Sequence, residues 1–315
     1  MLPFNFLRAS RHQGQGRRPP SEPMIWDDDT PRRLWSEDGH IMVATMPRLT
    51  DVRGTVRSIP PPRPAKKAYD LQAYITNSAL QYAKYVEPHK GKSATSADKA
   101  GKYVERPGEV SGEIRLVKGW FGIGQEVCYH PFDTNLSDGY VKHKGEVVPS
   151  PETFKTGGAF ARTAQLYRQL SHLSKMINET IKQVDPKFFD ALTLFHQHAT
   201  AKHASLAAWT SVDPSLLEGR EILFNRISGR HRDSQDPRLA YAGLYAAGNF
   251  KSGGRVFFPQ LNLRVRLLPG DFVLIRGRVL EHEIEAWEGG QRISIPHFTH
   301  TSLWRDCGLV HLVDL

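Results

Sequence analysis

Cysteine is scarce. Cys128 and Cys307 are the two in a chain of 315 residues, too few for a disulfide framework or a cysteine-built zinc site. A reducing, intracellular setting is therefore expected. Long apolar runs are missing too. No stretch approaches the roughly 18 residues of a membrane-crossing helix, and the first residues hold no apolar segment of the signal-peptide kind, so no membrane partner is expected. The G-x-G-x-x-G spacing of a dinucleotide-binding turn is absent. So are the signatures of a zinc finger, a helix-turn-helix or another separable DNA reader. What is present suits a folded body: 39% hydrophobic and 24% charged residues, in a length that supports one large core or two modest ones. The formal net charge of +9 is compatible with nucleic acid, a membrane surface or plain solubility, and selects none of them.

That charge is uneven. Residues 1–67 hold 12 Lys/Arg against 7 Asp/Glu, and the remaining 248 residues hold 30 against 26. The first segment carries little periodic pattern, an acidic run from Asp27 to Asp29, and the run Pro60-Pro61-Pro62-Arg63-Pro64. It reads as an irregular basic arm, with the prolines a stiff spacer. Residues 68–315 read as a single domain. In it, 68–157 form a helical and loop extension, 158–208 support helices and 220–304 a β core. Within the extension a helix is expected over 68–88, a Lys/Gly/Ser/Ala-rich loop over 89–112, and short extended runs with turns over 113–150.

Phe160, Ala164, Leu166, Leu170, Leu173, Ile177 and Ile181 recur at three- and four-residue steps, which predicts a helix over 158–183 ended by Asp185-Pro186. A second helix is expected over 187–208. Its His196, His198 and His203 are read as surface or core-edge residues. Beyond Pro214 the pattern shortens. β-prone pieces at 221–227, 239–247, 255–258, 262–268, 271–276, 278–285 and 291–299 are separated by Gly and Pro signals. No helical spacer lies between them, which argues against a parallel sheet and for an antiparallel sandwich or jelly roll with the helices on one outer face.

The chemistry collects in these strands. His231 and Asp233 are two apart, so an extended backbone points both to one face. His282 follows on a later strand. Two histidines and one carboxylate form the facial triad that holds non-haem Fe(II) and leaves three positions open. Ten residues on, Arg292-Ile293-Ser294 puts a guanidinium and a hydroxyl on one face, suited to a distal carboxylate.

Taken together, His231-x-Asp233, Gly253-Gly254-x-x-Phe257-x-Pro259, Leu268-Pro269-Gly270-Asp271, Gly277-x-x-Leu280-x-His282 and Arg292-Ile293-Ser294-Ile295 resemble the Fe(II)/2-oxoglutarate dioxygenases. Among these they are most similar to the TET/JBP branch and its fungal members. The resemblance covers roughly residues 220–304. It implies a double-stranded β-helix (jelly roll), mostly β with helical support and α+β overall. His231, Asp233 and His282 would ligate Fe(II). Arg292, with Ser294, would anchor 2-oxoglutarate; O2 would be consumed, and ascorbate would help keep the iron reduced. The implied activity is oxidation of the 5-methyl group of 5-methylcytosine in DNA to 5-hydroxymethylcytosine, and onward to formyl and carboxyl products. A monomeric enzyme in the nucleus is expected.

On the final strand Arg292, Ser294, Pro296, Phe298 and His300 share a face. By resemblance Phe298 and His300 are the positions that contact a flipped base, Phe298 without the tyrosine hydroxyl often found there. Asp236 stands where the family often has an asparagine that reads the cytosine edge. An ionised carboxylate accepts from an exocyclic amine or an N3–H but cannot donate to a bare N3. Base flipping requires phosphate contacts around the mouth. The candidates are Arg226, Arg230, Arg232, Lys251 and Arg255, with Arg63, Lys66 and Lys67 from the arm. A 2-oxoglutarate-dependent hydroxylase of thymine, RNA, protein or a small molecule remains the alternative, and a non-enzymatic β-domain that serves as a binding module is the third reading.

Overall fold

The computed structural model describes residues 22–46, 70–90, 101–121, 147–154 and 157–314. Thirteen strands and six α-helices occupy them. The N-terminal strands are β1 (Met24–Trp26), β2 (Arg32–Trp35) and β3 (Ile41–Met46), followed by α1 (Leu71–Ala83) and β4 (Gly112–Arg115). Four helices come next: α2 (Gly157–Gln169), α3 (Ser171–Val184), α4 (Pro186–Lys202) and α5 (Ala204–Thr210). The C-terminal part holds β5 (Gly219–Phe224), β6 (Ala242–Gly248), β7 (Ser252–Gly253), β8 (Val256–Phe258), β9 (Leu263–Val265) and β10 (Phe272–Ile275). It ends with β11 (Glu283–Ile284), β12 (Trp287–Glu288), β13 (Arg292–Phe298) and α6 (Thr301–Asp306).

A seven-stranded sheet of order β2-β3-β10-β6-β13-β5-β4 faces a four-stranded sheet of order β1-β9-β8-β11, with β7 and β12 as a small ribbon. All pairings are antiparallel except β1 with β9. This is the expected jelly roll with helical support. Two apolar cores follow from the alternation of side chains across each strand. Leu244, Ala246, Val256, Phe258, Val273, Ile275 and Leu280 fill the space between the sheets. Tyr245, Ala247, Phe272, Leu274, Ile293 and Ile295 point out of the large sheet against the helices. β6 is buried along its whole length because it is central and covered on both faces.

The helices are local in origin. The Asp185 side chain caps α4 by accepting from the Phe188 N–H at 3.0 Å, and Pro186 fills the first helical position, where no N–H is needed. The stripe Leu173, Ile177 and Ile181 is fully buried. Two predicted helices are each divided. The 158–183 segment breaks at Leu170 (φ −86°, ψ 1°), yet the apolar stripe runs straight across, so the period carries no mark of the break. The 187–208 segment breaks at His203, which is extended (φ −120°, ψ 111°) and held at 2.7 Å by Asp306 of α6. Of the three helix histidines, His196 is largely buried, and burial pushes its pKa down to about 4.

The described part of the predicted arm is not irregular. β1 adds in parallel to β9, and β3 pairs with β10 along Phe272–Ile275. Ile41, Met42, Val43 and Ala44 are buried. The acidic run is a cross-strand partner: Asp27 pairs with Arg255 and Asp29 with Arg266. The remainder of the arm, with the proline run, Arg63, Lys66 and Lys67, lies outside the described residues, as does Cys128.

Candidate active site

The two histidines are fixed by backbone pairing. His231 and His282 form an isolated antiparallel bridge, with N–H to carbonyl distances of 3.1 and 3.0 Å. The predicted strand over 278–285 is reduced to this bridge and β11. Each ring is set by its own backbone: Nδ1 of His231 lies 2.7 Å from the Gly229 carbonyl, and Nδ1 of His282 lies 3.0 Å from that of Leu280. An Nδ1–H given to a carbonyl leaves Nε2 as the lone-pair nitrogen, the form a metal takes. The two Nε2 atoms lie 3.6 and 3.8 Å from Asp233 Oδ1. These three donor atoms are within 4.8 Å of one another, and His231 is exposed to the cleft while His282 is buried. Burial lowers the His282 pKa and so favours the neutral, ligating imidazole. The donor set fits a facial Fe(II) site with three open positions.

Asp233 has its own seat. Its N–H donates to the Gly277 carbonyl at 3.0 Å, and a Cβ at Gly277 would lie 1.9 Å from Asp233 Oδ2. The glycine of the Gly277-x-x-Leu280-x-His282 motif therefore makes room for the ligand carboxylate.

The cleft has a volume of about 280 Å³ and is lined by all three of these residues, by Ser294, Pro296, Phe298 and His300 of the last strand and its end, and by Asp236. Ser294, Pro296, Phe298 and His300 line the cleft in the predicted alternation, while Arg292 is not among its lining residues. β13 is paired on both sides, Ser294 opposite Leu223 of β5 and Ala246 of β6.

Arg292 is 1% exposed, and its Nε and Nη2 have no hydrogen-bond partner among the described residues. Its guanidinium carbon sits 5.5 Å from the Trp287 ring and 5.8 Å from that of Phe250. Burial pulls its pKa down to about 10. A Cβ at Gly254 would come within 3.0 Å of Nε, so the Gly253-Gly254 pair keeps this end of the barrel open around the arginine. An unpaired buried guanidinium is costly, and a carboxylate is the ligand that satisfies its fork.

At the other end, the Phe298 and His300 rings lie 5.1 Å apart, and His300 also stacks on Trp120 at 6.4 Å. A Cβ at Gly219 would collide with the Phe298 ring, so this glycine gives the aromatic its place. Burial pushes the His300 pKa down to about 4, which leaves it neutral as donor or acceptor. Asp236 is buried and its Oδ2 has no partner. Burial, then the nearby Asp233 and Glu218 carboxylates, hold its pKa well above the usual range. As an ion it offers a base edge an acceptor; as the neutral acid it adds the donor that the ionised form lacks.

The expected phosphate contacts fare differently. Arg226 does line the cleft but is bound to Glu113. Arg230 pairs with Glu283 at 3.4 Å, Arg232 with Glu281 at 3.5 Å and Arg255 with Asp27. Lys251 lines a separate cavity with Asn249, Phe250 and Arg266. The acidic residues of 281–285 and 27–29 neutralise the neighbouring arginines across strands, a pairing that linear sequence hides. Three cleft-side groups escaped the sequence reading: Arg115 and Glu221, which line it, and Trp120. The alternation of Glu113-Ile114-Arg115-Leu116 was the available signal for Arg115.

No known family model matches the chain, and no curated protein matches it. Among solved structures, NgTET1 in complex with 5mC DNA superposes with a TM-score of 0.54 at 12% identity, covering 94% of this chain and 87% of that one. This chain shares the fold of NgTET1. The apo form of a C-terminally truncated thymine hydroxylase from Neurospora crassa aligns more loosely, with a TM-score of 0.29 at 13% identity over 73% of this chain and 77% of that one. A 2OG-Fe(II) oxygenase-family oxidoreductase from Burkholderia pseudomallei matches 26% of this chain and 43% of its own, with a TM-score of 0.24 at 18% identity. The His-Asp-His cluster shares its cleft with Ser294, Pro296, Phe298 and His300.

Proposed function

We propose that this protein is an Fe(II)- and 2-oxoglutarate-dependent oxygenase that oxidises the 5-methyl group of 5-methylcytosine in DNA. The observation that carries this reading is one cleft wall, β13. The strand carries the buried, unpaired Arg292 guanidinium at its start and the Phe298 and His300 rings at its far end, and its Ser294, Pro296 and Phe298 line one cleft with the His-Asp-His set. Fe(II) with 2-oxoglutarate and dioxygen supplies oxidation of a C–H bond, coupled to release of succinate and CO2.

The chain's own residues do the rest. His231, Asp233 and His282 hold the metal on one side and leave the cleft side open. Arg292 and Ser294 take the distal carboxylate of the cosubstrate and so fix its direction. Phe298 and His300 offer an aromatic and a polar ring edge to a base withdrawn from its stack; such stacking is worth about 1–3 kcal/mol per base. Asp236 faces the same volume and can hydrogen-bond a pyrimidine edge. The fold shared with NgTET1, seen in complex with 5mC DNA, supports the choice of DNA base over peptide.

The test is nucleoside mass spectrometry after incubation with Fe(II), 2-oxoglutarate, ascorbate and DNA carrying 5-methylcytosine, thymine or N6-methyladenine. Oxidised cytosine is expected with wild type and none with His231→Ala, Asp233→Ala or His282→Ala. Equal product from the Asp233→Ala protein would overturn the metal assignment. Oxidised thymine alone would move the substrate to that base.

A further inference from the structure

Between the arginine end and the aromatic end of β13, the cleft wall is Pro296, and its neighbour across the sheet is charged. The β13–β5 register pairs Ser294 with Leu223 and His297 with Arg220, which puts Pro296 opposite Glu221. Pro296 has no N–H to give, and the pairing with β5 is interrupted there. Glu221 and Leu223 share the inward face of β5, and both line the cleft with the metal-site residues. On the next strand Arg115 pairs with Glu221 in register and also lines the cleft.

The Glu221 carboxylate is therefore part of the cleft wall that also carries the metal-site residues, across the sheet from Pro296. Its side chain is 19% exposed, and its ion-pair partner among the described residues is Arg115, with Nε 3.2 Å from Oε1. The alignment is too poor for a hydrogen bond, and Arg115 Nε is left without a hydrogen-bond partner. Burial, opposed by Arg115, raises the Glu221 pKa. Arg115 Nε is thus a buried polar atom without a hydrogen-bond partner among the described residues, and such an atom favours a ligand that supplies an acceptor. A methyl group cannot; it would bury apolar surface against a carboxylate.

We infer that Glu221 and Arg115 select a pyrimidine whose 5-carbon already bears a hydroxyl, so that the cleft prefers 5-hydroxymethylcytosine to 5-methylcytosine. The hydroxyl donates to Glu221 and accepts from Arg115. The inference rests on the base-oxidation reading above and deepens it. The favoured turnover is R–CH2OH + 2-oxoglutarate + O2 giving R–CHO + succinate + CO2 + H2O. The alcohol carbon loses two electrons and two hydrogens, and the keto acid loses two electrons in decarboxylation. Dioxygen takes all four, one oxygen atom passing to succinate and the other leaving as water.

The experiment compares kcat/KM on matched duplexes carrying one 5-methyl- or one 5-hydroxymethylcytosine, with product nucleosides and succinate measured in the same samples. Wild type is expected to favour the hydroxymethyl duplex by at least fivefold. Glu221→Ala should bring the ratio to about one or reverse it, while Glu221→Gln, which keeps an acceptor in place, should retain most of it. A wild-type ratio at or below one, or a ratio unchanged in Glu221→Ala, overturns the inference while leaving base oxidation standing. Succinate release with neither base oxidised by wild type removes the base-oxidation reading itself, and this one with it. A melting curve for each variant separates loss of selectivity from loss of fold, and Glu221→Met, which keeps the volume without an acceptor and should also lose the preference, carries the test if the Ala variant fails to fold.

Discussion

Arg292 shows how a single residue stores a binding site. Its Nε and Nη2 are buried without partners among the described residues, so the ligand-free protein bears the cost of a desolvated cation. Arg292→Met should therefore stabilise the ligand-free protein by about 1–3 kcal/mol in urea unfolding. The same change should raise the 2-oxoglutarate concentration needed for half-maximal turnover about 10- to 100-fold. A variant that is less stable and binds 2-oxoglutarate normally would contradict the assignment. Glu218 makes a second residue-scale case. It is buried, its Oε1 accepts from the His300 N–H at 2.7 Å, its Oε2 has no partner, and burial pushes its pKa up to about 7. A folded pKa above the unfolded value means stability is intact below about pH 4.5 and is lost as pH rises through 7. Glu218→Gln should thus gain on wild type by on the order of 2–3 kcal/mol between pH 5 and 8. A stability difference that stays flat across that range would show that Glu218 does not titrate there.

At the scale of elements, the joint between α4 and the sheet is the one to probe. Asp185 caps α4 and also takes Arg276 Nη2 at 2.9 Å. Arg276 is itself 1% exposed and donates to the Ile41 carbonyl at 2.9 Å and to that of Leu239. Helix start, β3 and the end of β10 thus meet at one guanidinium. Asp185→Ala removes a cap and leaves a buried cation short of its counter-charge. A loss of about 3 kcal/mol in thermal or urea unfolding is expected; a loss below about 1 kcal/mol would show that the backbone carbonyls suffice. The broken helices belong to this scale as well. Their apolar stripes were legible, but the breaks at Leu170 and His203 follow from packing and from Asp306, neither of which leaves a periodic trace.

Across the whole molecule, the N-terminal strands close the barrel. β3 covers the edge of β10, and β1 covers β9. Removal of residues 1–46 should expose both edges together with the buried face of Ile41–Ala44. Association on size-exclusion chromatography and loss of a cooperative melt are expected. A monomeric, cooperatively folding truncation would contradict a structural role for these strands. The charge distribution is also decided here. Among the described residues, the predicted phosphate contacts Arg226, Arg230, Arg232 and Arg255 are each held by a carboxylate.

The jelly-roll class, the clustering of His231, Asp233 and His282, and the common face of Ser294, Pro296, Phe298 and His300 were legible in the amino-acid order. Those depend on short-range spacing: a two-residue strand period, an H-x-D pair and turn-forming Gly and Pro. The amino-acid order did not determine that β1 to β3 complete the sheets, that Arg115 and Glu221 stand in the cleft wall, or that the basic residues at the mouth are already paired. Each of these depends on which strands become neighbours. Partners such as Asp27 and Arg255, or Arg115 and Glu221, are far apart in the chain and adjacent only through register, so only the tertiary structure could bring them together.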